Sequence, residues 1–281
     1  MKIKPFRFLQ YMYAFFVAIF TLAPFVWLMI SSVSFQKDLT NVPLQWIPKH
    51  FTFSRYIDIF TNPNNEIAYA FKIAMMNSFI VALSVSIIAL LVGGLAAYAF
   101  ARFRFRFRQQ MIYLFLFTYM IPPVVIVIPL YMMLNSLHML DQKLTLILLD
   151  LTFVIPFVIW VMQNYFGSIS KDFDEAASID GCSHLQTLWH VTFPIVRPGM
   201  IATGILAFLM SWDEFLYSLL FTSSLNAKTI SVAIAEFSGK NAVDYGMIAT
   251  GGVLASLPPL IIALIFQRFL VQGMVAGGVK E

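Results

Sequence analysis

Residues 171–199 read KDFDEAASIDGCSHLQTLWHVTFPIVRPG, a polar island in the second half of a chain that is otherwise apolar. Asp172, Asp174 and Glu175 crowd the start of a helical pattern, where the helix dipole favours negative charge, and Ser170 before them is a competent cap. Phe173, Ala176 and Ala177 fall on one face at three- and four-residue spacing. Gly181 suits the left-handed residue that ends a helix. Ser183 and Gln186 then make a capping box for a second helix with Leu185, Leu188 and Trp189 as its apolar stripe, and Pro194 and Pro198 are expected to stop it. Residues 170–199 therefore predict a hairpin of two short helices at a sharp angle. A soluble-looking hairpin between hydrophobic runs has to project from a membrane protein, either into a groove on a second protein or onto the lipid head groups.

The surrounding composition demands that membrane. The chain has 281 residues, of which 60% are hydrophobic and 11% charged. A soluble domain carries about 25% charged residues. Mean hydropathy is +0.81. Such a surface cannot be solvated by water, so lipid must cover it. The single cysteine, Cys182, excludes an internal disulfide and a multi-cysteine zinc site. The net charge of +4 is small and sits in membrane flanks, which argues against nucleic acid as a partner.

A membrane-crossing helix needs about 20 apolar residues. Six stretches qualify, at 9–31, 74–100, 111–134, 144–166, 200–222 and 247–272. The first has a basic start, but its apolar run is too long for a signal core and lacks a small-x-small cleavage pattern, so it reads as a retained span. The fold class is thus all-α integral membrane, one domain of six spans with the hairpin on one side. An even count puts both ends on the same side. Of the 18 Lys and Arg, eleven fall on the side of the termini and the hairpin and seven on the other, which places the termini in the cytoplasm.

ARFRFRFRQQ, residues 101–110, alternates like a strand. With spans on both sides it reads as a tight cytoplasmic turn, its arginines reaching lipid phosphates and its phenylalanines re-entering the interface.

Ionisable residues inside spans are costly and usually functional. Asp150, near one end of a span, reads as an interfacial carboxylate reaching water. Asp213 and Glu214 lie deeper, in SWDEFLY, residues 211–217. Adjacent helical positions point about 100° apart, so the two cannot share one environment. Trp212 beside them supplies an aromatic plate next to hydrogen-bonding groups, the combination that sugar recognition uses, and a structural role in helix packing fits these residues equally. His184 and His190, six apart, do not make a metal pair, and no metal site is expected. Gly93, Gly94, Ala96 and Ala97 would let the second span approach another helix closely. Residues 32–73 read as an ordered amphipathic surface segment, residues 223–246 as an exposed polar loop, and the glycine-rich end VQGMVAGGVKE as a frayed tail.

The stretch EAASIDGCSHLQTLWHVTFPIVRPG, residues 175–199, resembles the cytoplasmic signature of permease subunits from binding-protein-dependent ATP-binding-cassette importers. LAAYAFARFRF, IPLYMMLNSLHMLD, SWDEFLYSLLFTSS and GMVAGGVKE extend the resemblance to the maltose-type carbohydrate permeases over most of the chain. That family commonly has Pro at position 170 and Asn at position 213, where this chain has Ser and Asp. The resemblance implies that the hairpin is a coupling-helix pair seated in a cleft on a cytoplasmic ATPase subunit. Glu175, Ala176, Ala177, Asp180 and Gly181 would carry the coupling, Glu175 pairing with a basic residue there. Trp212, Asp213 and Glu214 would flank the substrate path, Asp213 adding negative potential that disfavours anionic cargo. The implied partners are a second permease, two ATP-binding subunits and an extracytoplasmic substrate-binding protein whose cleft the 223–246 loop enters, all at a prokaryotic inner or plasma membrane. The tail would reach the ATPase interface. ATP and magnesium would bind the partner subunits and no cofactor this chain, whose only Gly-Lys pair, Gly239-Lys240, has Ile234 where a phosphate loop needs glycine.

Two rival functions are worth stating. An ion-coupled secondary transporter could use Asp150, Asp213 and Glu214, but no inverted repeat with interrupted helices is visible and the hairpin would have no role. A membrane enzyme would need a cluster of acids, histidines or serines at catalytic spacing, and none stands out.

Overall fold

Inside lipid a segment must satisfy its own backbone N–H and C=O groups, so long apolar runs become helices. The structure, a computed structural model, describes residues 5–43, 46–62, 64–237 and 243–278. Among these, every regular element is helical: α1 (Pro5–Ser32), α2 (Gln36–Thr40), α3 (Ser54–Thr61), α4 (Glu66–Arg102), α5 (Arg108–Met120), α6 (Pro123–Ser136), α7 (Lys143–Ser168), α8 (Asp172–Ile179), α9 (His184–Thr187), a π-turn (Leu188–Thr192), α10 (Phe193–Trp212), α11 (Leu216–Phe221), α12 (Ile230–Glu236) and α13 (Tyr245–Gly278). Five runs are long and apolar enough to cross a membrane, and the bent pair α5–α6 supplies a sixth.

Four of the expected boundaries change. The stretch 111–134 is not one straight span but two helices bent by 88°. Pro122 and Pro123 force the break, because a proline pushes the residue before it out of helical geometry, and Ile121 is accordingly extended at ψ 120°. The stretch 200–222 is interrupted after Trp212 and resumes at Leu216. On its other side the helix does not stop at the prolines but runs from His184 to Trp212. The π-turn lies just before Pro194, and its wider winding makes room for a ring that would otherwise clash with the preceding turn. The C-terminal stretch is helical to Gly278 rather than frayed, since extending a formed helix costs little. Residues 279–281 lie outside the described residues. The turn after α4 is present without any strand, with Phe107 in the left-handed region at φ 65°.

The chain divides into two compact units. One comprises residues 1–73 and 233–258. Its polar seam centres on Arg55, which donates to the Ser34 carbonyl at 2.7 Å and pairs with Asp244 at 3.7 Å, while Gln36 donates to the Val243 carbonyl at 2.7 Å. Helices α2 and α3 order the segment expected to be amphipathic. The α1 face bearing Phe15, Phe16 and Phe20 is exposed, as a lipid-facing surface is.

The other unit comprises residues 74–232 and 259–281 and is built around α7. Val154, Val158, Met162 and Phe166 of α7 are fully or nearly fully buried among Val81, Val85 and Ala97 of α4 and Val196 and Ala207 of α10. Gly93 makes the α4–α7 approach possible, since a Cβ there would stand 2.9 Å from Val158 Cγ1, whereas one at Gly94 would meet nothing within 4 Å. Residues 223–232 are not simply an exposed loop: Ala227, Ile230 and Val232 are buried, with Ile230 N–H donating to Ser78 Oγ.

Candidate functional site: a helical hairpin pinned to the end of a span

The hairpin forms as its sequence demands. Gly181 sits at φ +82°, where a side chain would be strained. This lets Cys182 N–H reach back to the Ala177 carbonyl at 2.9 Å and Gly181 N–H to the Ser178 carbonyl at 3.1 Å, closing α8. The second arm opens with the complete capping box: Ser183 N–H donates to Gln186 Oε1 at 2.8 Å, and Gln186 N–H donates to Ser183 Oγ at 3.4 Å. Ser170 accepts from Asp172 N–H at 3.3 Å, although Lys171 occupies the cap position itself.

Of the residues that the resemblance assigns to coupling, Glu175, Ala176, Asp180 and Gly181 are exposed on the hairpin surface. Ala177 is not. It is the one buried residue of α8, turned inward where only a small side chain fits, so its part is to let the hairpin fold rather than to touch a partner. Phe173 and Leu185 are exposed on the two arms, and Ile179 beside the turn is 87% exposed. Apolar side chains so exposed on a polar element fit a surface that a second protein or the lipid interface would cover.

Sequence reasoning missed what holds the hairpin in place. Arg102, the last residue of α4, does not reach lipid phosphate. Its side chain is 6% exposed, and Nε lies 2.8 Å from Asp174 Oδ2 in α8. Its Nη1 donates to the carbonyl of Ile169, just past the end of α7, at 3.1 Å. Thr192 of the π-turn donates to the other oxygen of Asp174 at 3.5 Å. Phe103 meets His184 edge-on at 5.3 Å. A groove of about 360 Å³ lies beside these contacts, lined among others by Tyr98, Lys171, Glu175 and Ile179. The only signal in the sequence was position: of the four alternating arginines, Arg102 alone closes α4, whereas Arg104 and Arg106 lie in the turn and Arg108 opens α5.

The acidic stretch divides as the angle between neighbours requires. Trp212 is buried and stacks on Phe208 at 5.6 Å, so its indole is not presented as an open plate. Asp213 is exposed at the interruption between α10 and α11. Glu214 points inward and caps α11, accepting from Tyr217 N–H at 2.7 Å and Ser218 N–H at 3.0 Å. Asp150 does not reach water. It is 2% exposed and accepts a hydrogen bond from Ser211 Oγ. Among the described residues, no group of three or more His, Cys, Asp or Glu side chains is placed to hold a metal.

A third cluster, also missed, fixes the segment after α11. Asp141 Oδ1 accepts from Ser223 N–H at 2.9 Å and Ser224 N–H at 3.0 Å, while Ser224 Oγ donates to Oδ2. Burial alone would push this carboxyl up, but these hydrogen bonds and the charge of Lys228 outweigh it and hold Asp141 below its ordinary range. Lys143 and Asn77 hold the same segment at the carbonyls of Asn226, Leu225 and Lys228.

Comparison with known proteins agrees with this architecture. Residues 89–276 match the family described as binding-protein-dependent transport system inner membrane component. The chain is 32% identical over 277 residues to the sulfoquinovosyl glycerol transport system permease protein SmoH of Agrobacterium fabrum, covering 99% of this chain and 94% of that protein. It is 31% identical over 268 residues to the trehalose/maltose transport system permease protein MalG of Thermococcus litoralis, covering 95% and 94%. In fold it resembles a chain of a bacterial ABC transporter involved in the import of the acidic polysaccharide alginate, with a TM-score of 0.74 at 22% identity over 95% of this chain and 98% of that one. With its spans, its hairpin and these relatives in agreement, the chain belongs to the multi-pass inner membrane components of binding-protein-dependent transport systems.

Proposed function

We propose that the chain is the permease subunit of an ATP-driven importer of a carbohydrate. It forms half of the translocation path with a second permease and is driven by two separate ATP-binding subunits, which bind the ATP and magnesium. The carbohydrate class is supported by the relatives, several of which are named for glycosides or disaccharides. The observation that carries the coupling role is the hairpin turn at Gly181, which presents Phe173, Glu175, Ala176, Asp180 and Ile179 on an element with little apolar attachment of its own. Such a surface suits a cleft on an ATPase subunit, with Glu175 available for a basic residue there. The hairpin and both termini are cytoplasmic in this reading, as the distribution of Lys and Arg favours.

The opposite face would receive sugar from a substrate-binding protein. The segment held by Asp141 forms the root of the loop offered to it, while the tip at 238–242, which includes Gly239 and Lys240, lies outside the described residues. Asp213, exposed at the helix interruption, is the acid placed to meet passing substrate, with Trp212 and Glu214 supporting the backbone around it.

Affinity purification through this chain from its native membrane tests the assembly. The expected result is co-elution of an ATP-binding subunit and a second permease, with ATP hydrolysis stimulated by sugar-loaded binding protein. Transport by the isolated chain on a proton gradient would overturn the proposal.

A further inference from the structure

We propose that Arg102 and Asp174 form the pin that makes the hairpin and the end of α4 one rigid body, so that Arg102 is a positioning residue for coupling. The inference rests on the reading of the hairpin as the coupling element. Apolar packing secures the second arm, where Leu188 is buried in the core, but not the first. Helix α8 buries only Ala177, and an open groove runs between the hairpin and α4. The attachment of this first arm is instead polar and converges on two side chains. Asp174 is held by Arg102 from α4 and by Thr192 from the π-turn, and Arg102 also grips the Ile169 carbonyl at the end of α7. One ion pair therefore ties both arms of the hairpin to the ends of two spans.

Its chemistry suits a transmission joint. The Arg102 guanidinium reaches two partners at once, with Nε 2.8 Å from Asp174 Oδ2 as an ion pair and Nη1 donating to the Ile169 carbonyl, so one side chain joins the hairpin to the end of α7. The Arg102 side chain is 6% exposed and that of Asp174 24%, so the pair is partly screened from water and salt. A push on the exposed hairpin surface is then delivered to α4 and α7 as a rigid displacement rather than absorbed by bending at Ile169–Lys171.

The test uses the whole transporter, purified through this chain in a Cys182→Ser background and spin-labelled at Ile179 and Phe107, both exposed. The distance between labels is measured before and after trapping with MgATP and vanadate. With the pin intact the distribution should be narrow and should not shift. Replacing the pair together, Arg102→Met with Asp174→Leu, removes the directional tie without stranding a buried charge, an exchange that proteins often tolerate in stability. This variant should still co-purify with the ATPase subunits, but its distribution should broaden and shift on trapping. Arg102→Lys, which keeps the charge but has one nitrogen where the guanidinium uses two, should lie between.

A label distance that already shifts in the unaltered protein, or one that stays narrow in the double variant, would overturn the pin. So would failure of the double variant to assemble, which would make the pair a plain folding contact. Failure of the coupling reading itself gives a different result: Gly181→Leu and Glu175→Arg would leave ATPase co-purification and transport unchanged whatever the labels report.

Discussion

Ser211 of α10 donates its hydroxyl hydrogen to the Asp150 carboxylate of α7 at 2.5 Å, a bond between two side chains that are 5% and 2% exposed. Among the described residues, no hydrogen-bond partner reaches the other carboxylate oxygen of Asp150. Ser211→Ala should therefore leave a buried carboxyl group with no hydroxyl partner at either oxygen, at a cost of about 1–3 kcal/mol. Asp150→Asn should be milder, because an amide can still accept from Ser211. Thermal unfolding of both variants in detergent checks the order.

Asp141 predicts a pH dependence on the side of the molecule away from the hairpin. Its carboxyl is held below its ordinary range in the folded state, so the stability it contributes is fully present above the unfolded value, about 4. That contribution is lost as pH falls through the depressed folded value. Hydrogen-exchange protection across residues 223–229, corrected for the intrinsic rate at each pH, should hold at neutral pH and fall only under acid conditions. Asp141→Asn should show the fast behaviour at every pH, by about tenfold, the equivalent of one charge-assisted hydrogen bond.

At Gly181 the strain of substitution is conformational and not steric, since a Cβ there meets nothing within 4 Å. Gly181→Asn, a residue that tolerates left-handed geometry, should keep transport and ATPase co-purification. Gly181→Val should lose both, because a left-handed backbone costs an ordinary residue about 1–2 kcal/mol and a β-branched one more. Equal behaviour of the two variants would remove the φ argument.

Gly93 and Gly94 are adjacent but should respond oppositely. Gly93→Ala forces a methyl toward Val158 and should destabilise by about 1–3 kcal/mol, with Val158→Ala restoring part of the loss. Gly94→Ala should be neutral or slightly stabilising, as helical Gly→Ala exchanges are where space allows. Melting temperatures of the three variants decide it.

The local grammar of the hairpin was legible because it depends on few neighbours. A capping box and a left-handed glycine are specified by residues three or four apart, and both stand where the sequence put them. The double proline at 122–123 was just as visible, yet a hydropathy window averages over it and reports one span where there are two helices. Pro194 misled in the other direction, because a proline stops a helix only if the preceding turn cannot widen, and here it does.

What stayed hidden was long-range pairing. Arg102 and Asp174 lie far apart in sequence, and nothing local distinguishes Arg102 from its three neighbours bound for solvent or lipid. Asp141 and Ser224 are 83 positions apart and polar in ways that any loop residue is. Asp150 was read as interfacial from its distance to the end of a span, a measure that ignores which neighbouring helix supplies a hydroxyl.

Helix α10 and the second arm of the hairpin share one unbroken axis from His184 to Trp212, 29 residues. A rod of that length measures about 40 Å, comparable to the full thickness of a bilayer with its head groups. Tilting it by a few degrees about its hairpin end swings the opposite tip sideways by several ångströms, and that tip carries Asp213. The chain thus holds, in a single run of helical backbone, the geometry of a crank: a small tilt at the hairpin end becomes a longer sweep at the end that carries Asp213.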